Sequence, residues 1–289
     1  MNNSKYILFL LLLVNSFVFA QKTEANFTKE IKLLNSLTQD ILDAESDSIR
    51  HTANSTYKGV LKEIIGNKKS FDYKFDELIK ISILKENDLK IYNWVLPLTD
   101  GTYEYFAFLQ IRKSKEEFRI VELTDKSESI KTPENKILTA KNWYGALYYK
   151  IIHNKSLGKN YYTVLGWDGN NNLTNKKIID VINVSKNGMI KFGAPIFKTT
   201  KKTKKRVIFE YSESSVMSLK HHDNMNKIVF DYLVPASSKL KGIYEYYGPS
   251  LNRFDAFYLE KKKWIYEVDI EIELDRNIKD NFWKDPKEK

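Results

Sequence analysis

In residues 161–180, YYTVLGWDGNNNLTNKKIID, an apolar and aromatic run ends at Trp167 and an Asp168-Gly169-Asn170 reversal follows. A second apolar run then resumes after a short polar interval. Asp, Gly and Asn suit a sharp turn because they accept left-handed backbone or hydrogen-bond their own main chain. The segment therefore reads as strand, turn and strand, and the same unit recurs in both directions along the chain.

Toward the C-terminus the pattern predicts strands at 189–197, 206–212, 216–221, 227–234, 242–247, 255–259 and 264–273. Asn187-Gly188 and Asp223-Asn224 supply further turns. Toward the N-terminus it predicts strands at 142–152, 118–123, 102–112, 89–96, 78–84 and 71–75. The longest polar break, 124–136, contains Pro133 and reads as a loop over the sheet or a seam between two halves. Links this short make sequence neighbours pair antiparallel, and so many strands must stack or close to hide their edges. The expected class is mainly β: an antiparallel meander over 69–275 that closes as a barrel, a sandwich or a propeller-like domain. No fixed-period repeat is visible, which counts against an ordinary propeller.

Before residue 69 the period changes from two to that of a helix. Phe27, Ile31, Leu34, Leu37, Ile41 and Leu42 share one face, and Ser46-Asp47-Ser48 offers cap oxygens for a second helix. Ile49, Ala53, Tyr57, Val60, Leu61, Ile64 and Ile65 continue the stripe as far as a stop at Gly66-Asn67. Each helix has one apolar face, so segment 21–68 is expected to pack on the β domain, with a partner-binding arm as the alternative.

The first twenty residues read as an export signal: Lys5, an apolar core over 6–14, and Val18-Phe19-Ala20 at the cleavage site. That core is too short for a stable membrane span, and no later stretch is apolar enough for a spanning helix. No integral span is expected after cleavage; the destination is the periplasm, the outer-membrane surface or the medium, by the Sec route. Segment 276–289 is a charged tail. Hydrophobic residues make up 42% of the chain, enough to build a large core without disulfides. The absence of cysteine excludes thiol catalysis and thiolate metal sites. A net charge of +10 favours anionic partners such as envelope phosphates or acidic polysaccharide.

The segments IYNWVLPLTDGTYEYFAFLQ from Ile91, NWYGALYYKII from Asn142 and YYTVLGWDGN from Tyr161 carry a resemblance, as do KRVIFEYS from Lys205, KIVFDYLVP from Lys227 and YEYYGPSLNRFDAF from Tyr244. Together and in this order they resemble a family of uncharacterised exported proteins of the Bacteroidetes, flavobacteria in particular. The resemblance implies a Gram-negative envelope or secreted location. It brings no activity, ligand or catalytic residue with it.

Four constellations bear on chemistry. Asp168, Asn170 and Asn172 alternate like the opening oxygens of a Ca²⁺ loop, but Leu173 stands where Gly is required and Ile179 where a bidentate Glu is required. The expectation there is a turn with Trp167 packed at the strand end. Lys198, Lys201, Lys202, Lys204, Lys205 and Arg206 form a basic run between two strands, either an anion-docking loop or a solvated tip. No aromatic residue interleaves with it, so no specific nucleic acid is expected. His221, His222 and Asp223 alternate across a strand and are not expected to share a metal. Finally, Trp143, Tyr144, Trp167, Asp168, Tyr244, Tyr246 and Asp255 form the candidate ligand-binding set. Their aromatics either stack on sugars or fill the core, and Glu245 with Asp255 is the carboxylate pair that glycoside hydrolysis would use.

No motif for a nucleotide, cofactor or metal is present, and neither cofactor nor metal is expected. The sequence therefore favours a non-enzymatic envelope protein that binds a protein partner or a glycan, with a carboxylate-based carbohydrate hydrolase as the alternative. Asp168, Glu210, Glu245 and Asp255 meeting in one cleft would favour the hydrolase.

Overall fold

The computed structural model describes residues 27–185 and 187–271. The expected export signal at 1–20 and the expected charged tail at 276–289 lie outside the described residues. Two helices come first, α1 (Thr28–Asp43) and α2 (Asp47–Gly66). Ser46 caps α2 by accepting the Ile49 N–H at 3.4 Å, as its sequence position predicts. Ile31, Leu34, Leu37 and Ile41 of α1 and Tyr57, Leu61, Ile64 and Ile65 of α2 are buried, whereas Leu42 and Ile49 are exposed and drop out of the expected stripe.

The first sheet is the meander β1 (Ile81–Glu86), β2 (Leu89–Pro97), β3 (Tyr103–Arg112) and β4 (Phe118–Thr124). The second runs β5 (Leu138–Thr139), β9 (Ile190–Phe192), β8 (Thr174–Val184), β7 (Tyr161–Asp168), β6 (Leu147–His153). β12 (Val207–Ser212) also pairs with β8, along the part that β9 leaves open. The third sheet runs β11 (Thr203–Lys204), β10 (Phe197–Lys198), β16 (Lys263–Glu267), β15 (Tyr247–Glu260), β14 (Lys227–Pro235), β13 (Leu219–His222). Strand pairing is antiparallel throughout except between β10 and β16. No sheet closes on itself among the described residues.

The elements stack as helices, first sheet, second sheet, third sheet, with an apolar core at each junction. In the first sheet the alternation of β2 sends Tyr92, Trp94 and Leu96 to the helices, and Leu89 and Ile91 to the second sheet. The second sheet is covered on both faces: Val164, Ile178 and Ile182 meet the first sheet, while Leu165, Ile179 and Val181 meet the third. A sheet buried on both faces needs unbroken apolar strands, which is why 161–168 and 178–184 read as continuous runs.

Two expected strands are absent. Residues 71–75 follow a 3-10 turn (Lys68–Phe71), and Phe71 and Phe75 are buried beneath the first sheet's edge. Residues 242–247 hold another 3-10 turn (Tyr244–Tyr246). In both places alternating aromatics mimic a strand without a partner edge to bond.

Polar groups pin the layers together. β6 bulges between Tyr148 and Lys150, which takes the Tyr148 peptide out of the regular ladder. Asn93 of β2, fully buried, replaces the missing partner. Its Oδ1 accepts the Tyr148 N–H at 2.6 Å, and its Nδ2 donates to the Tyr148 and Ser82 carbonyls at 3.3 and 2.9 Å. The extra residue, Tyr149, turns to the other face and donates its hydroxyl to the Leu219 carbonyl at 2.9 Å.

Beneath α2, the Lys90 ammonium donates to the Ser70 and Tyr73 carbonyls at 2.9 and 2.7 Å, and Gln110 donates to the Ile65 carbonyl at 2.8 Å. These groups satisfy carbonyls that the ends of α2 and the 3-10 turn leave open.

Replacing Asn93 with Leu is expected to destabilise the fold by about 2–4 kcal/mol, because two buried Tyr148 backbone groups lose their partners. Urea unfolding checks this, and a loss under half a kcal/mol would remove Asn93 from its bridging role. Burial, helped by the charge of Lys85, lowers the Lys90 pKa from 10.5 to about 7. Between those values the unfolded chain holds a proton that the folded chain lacks, so this contribution to stability grows as pH rises from about 7 to 10.5 and is lost as pH falls. Lys90→Met is expected to flatten that part of the stability–pH curve.

Candidate functional site

The hairpin of β7 and β8 brings Asp168 and Glu210 close to the same lysine. In the pairing register, Lys176 of β8 lies opposite Asp168 on β7 and opposite Glu210 on β12. Asp168 is buried; its Oδ1 accepts from the Tyr105 hydroxyl at 2.9 Å and from the Asn170 N–H at 2.7 Å. Tyr105 in turn accepts the Gly169 N–H at 2.7 Å. Asn170 has φ +45° and donates to Thr174 Oγ1 at 2.6 Å, and Thr174 donates to Glu210 Oε1 at 2.8 Å. The Lys176 ammonium donates to Asn170 Oδ1 at 2.6 Å and lies 3.9 Å from Asp168.

Burial raises the Asp168 pKa, and the nearby Lys176 charge opposes the rise. Burial also raises the Tyr105 phenol, reinforced by the Asp168 charge. The proton therefore stays on Tyr105. Lys176, Asn170 and Thr174 connect the two acids through these contacts. This network ties down the 169–173 loop. Gly169 is required there, since a Cβ would fall 2.4 Å from the Tyr103 ring.

The other two acids lie in the third sheet's region. Asp255 is fully buried and bound at 2.9 and 3.1 Å by both arms of the Arg253 guanidinium. The Tyr266 hydroxyl and the Asp269 N–H also donate to it. Burial raises its pKa, but Arg253, Tyr266 and Asp269 outweigh that effect and leave it below the usual value. Glu245 stands on the 3-10 turn Tyr244–Tyr246. Neither belongs to the Asp168–Glu210 network, so the four acids do not gather at one centre.

The aromatic candidates divide in two. Trp143 is fully buried, with its indole N–H donated to the Tyr148 hydroxyl at 2.8 Å; Tyr144 is buried beside it. Both are core residues between the first and second sheets, which corrects their assignment to a ligand surface: a buried ring cannot stack on a sugar. Trp167 is half-buried, edge-on to Tyr103 at 5.2 Å. Tyr244 and Tyr246 keep 46% and 45% of their surface exposed.

Tyr246, with Tyr247, lines a surface groove of about 360 Å³ between the 3-10 turn and the link from β12 to β13, and Tyr244 stands on the same turn outside that lining. Ser212, Ser214, Ser215, Glu245, Tyr246 and Pro249 line it. Beside it, β15 carries an insertion: Phe254 pairs with Asp231 and Pro249 with Leu233, so residues 250–253 face Tyr232 alone. The Arg253 guanidinium pins the insertion, lying 3.6 Å from the centre of the Tyr232 ring. Leu251 at the insertion and Val216 next to Ser215 are 95% and 88% exposed. The serines were missed because no sequence motif marks hydroxyls that only pairing across β14 and β15 brings beside Tyr246.

The basic run also needs correction. Arg206 is fully buried and donates to Asp180 at 2.9 Å, to the Pro133 carbonyl, and to the Lys136 carbonyl at 3.2 Å. It fills the seam on β8 where β9 ends and β12 begins, against Gly193, whose φ is +87°. Lys204 pairs with Glu134 at 2.6 Å and Lys205 donates to the Asn135 carbonyl at 2.7 Å. Only Lys198, Lys201 and Lys202 remain fully exposed, a weaker anion surface than six cations in nine residues imply.

His221 Nδ1 donates to the Asp223 carboxylate at 2.8 Å, and no group of three or more acids and histidines among the described residues is placed to hold a metal ion. No described helix is long and apolar enough to cross a membrane. Comparison with protein-family models, with characterised proteins and with solved structures finds no match to this chain.

Arg206→Met is expected to cost about 3–5 kcal/mol by leaving Asp180 buried without its counter-charge. A double variant with Asp180→Leu should recover much of that loss in a thermal-unfolding series. Equal destabilisation of the single and double variants would contradict the pairing.

Proposed function

We propose that the chain is an exported, non-enzymatic binding protein of a Gram-negative envelope, and that the groove beside Tyr246 is its glycan-binding site. The observation that carries this reading is the exposed Tyr246 ring on a groove lined also by three serine hydroxyls and the Glu245 carboxylate. Rings present a flat apolar face to the C–H side of a sugar, and hydroxyls and a carboxylate hydrogen-bond its O–H groups. Tyr244 also packs on Tyr247 at 5.1 Å, which holds the ring in place at little entropic cost on binding. The leader-like sequence at 1–20 and the resemblance to exported Bacteroidetes proteins support the location.

Hydrolysis is the weaker alternative. Asp255 is held by Arg253, Tyr266 and Asp269, and Asp168 is separated from Glu210 by Lys176, so neither acid faces a substrate with a second carboxylate beside it. A protein partner is the second reading for the groove, favoured by the exposure of Val216 and Leu251 at its margin.

Glycan-array screening followed by calorimetry tests the proposal. Tyr246→Ala is expected to weaken glycan binding about tenfold, the effect of roughly 1.4 kcal/mol from one lost stacking ring. Unchanged affinity in that variant would reject the site. A captured protein released by Leu251→Asp but retained by Tyr246→Ala would favour the protein-partner reading instead.

A further inference from the structure

Where the first and second sheets meet at one end, their tips enclose a cleft of about 330 Å³. Four cations border it: Arg112, Lys113 and Arg119 from the first sheet, and Lys159 from the segment before β7. Asp88 is the one acid in its lining. Arg112 and Lys113 are paired with Asp72 and Glu117, whereas Arg119 and Lys159 form no ion pair among the described residues.

The cations are held in different ways. Arg119 donates one terminal nitrogen to the Gly188 carbonyl at 2.6 Å, which fixes the guanidinium and leaves its other donors for a ligand. Gly188 is needed for that approach, because its φ is +78° and a Cβ would fall 2.5 Å from the same nitrogen. Arg112 is engaged elsewhere: its guanidinium lies 4.1 Å from the centre of the Phe71 ring and pairs with Asp72, neither of which lines the cleft.

The floor differs from the rim. Leu89, Ile111 and Tyr162 are buried beneath the cleft, and Val184 is half-buried at its side. Two unpaired cations around an apolar floor suit a small molecule with a tetrahedral anionic head and a less polar body. Two unpaired cations approaching from separate sheets match a doubly charged head better than a single carboxylate, which one Arg could take alone.

We propose that this cleft binds a phosphate monoester, with Arg119 and Lys159 on the phosphoryl oxygens and the Leu89–Ile111–Tyr162 floor against the organic body. The site is separate from the groove at Tyr246, so either assignment can fail without the other. It also moves the anion-binding expectation from the 198–206 run, whose Arg206 is spent on Asp180, to a place no sequence cluster marks.

Calorimetric titration of the full chain with glucose 6-phosphate, and with glucose as the uncharged control, tests this. Saturable binding of the phosphate ester and none of glucose is expected. Arg119→Gln and Lys159→Gln should each weaken it about tenfold, the loss of one charge-assisted contact, while Lys201→Ala with Lys202→Ala leaves it unchanged. Both cleft side chains are exposed, so thermal unfolding should stay at the parent value and separate lost binding from lost folding. No measurable binding, equal affinity in the cleft variants, or loss on changing the 201–202 lysines instead would each overturn the proposal.

Discussion

The amide of Asn93 and the peptide of Tyr148 hold the stacked layers in register. A bulged strand loses ladder partners at the bulge, and a buried peptide without partners costs as much as a small domain can spare. By accepting and donating at once, Asn93 lets β6 bulge inside the core. The bulge then sends Tyr148 toward the first sheet and Tyr149 toward the third, where its hydroxyl reaches Leu219. One polar side chain thereby couples three layers that apolar contact alone would leave free to slide.

The same economy governs the buried charges. Lys90 serves open carbonyls under α2, Arg206 serves Asp180 and two loop carbonyls at the β9–β12 seam, and Asp255 is surrounded by donors. Each is a residue type that chemistry commonly uses, and each is consumed by the architecture. Unspent polar capacity lies at the margins: hydroxyls and phenols along the groove at Tyr246, and unpaired cations at the ends of the first two sheets. Binding at the periphery of a rigid stack is the mode such a distribution permits.

Much of the fold is legible along the chain. The helical stripe from Phe27 to Ile65, the Ser46 cap and the turn at Gly188 are local signals, and local sterics and hydrogen bonding enforce them. Strands β2, β3, β4, β7 and β14 follow their apolar patterns to within a residue or two. The pattern misleads where aromatics alternate without an edge to join, at 71–75 and 242–247. The candidate site was less legible. Tyr244 and Tyr246 could be named, but Trp143 and Asp255 were named beside them although both are core, since a strand's aromatic looks the same whether its face is covered or bare.

Sequence alone determined the mainly β class, the helical pair ahead of it and the positions of the tight turns, because those depend on periodicity and on backbone preferences within a few residues. Only the tertiary structure decided that the strands form three open, stacked sheets and that Arg206 leaves its basic run for Asp180. It alone placed Lys176 between two acids in the strand register, and brought Arg119 and Lys159 to one cleft. Those outcomes rest on strand register and layer order, which are set by contacts between residues tens of positions apart. A single substitution at Asn93 or Arg206 would test them more severely than any change within the turn at Asp168.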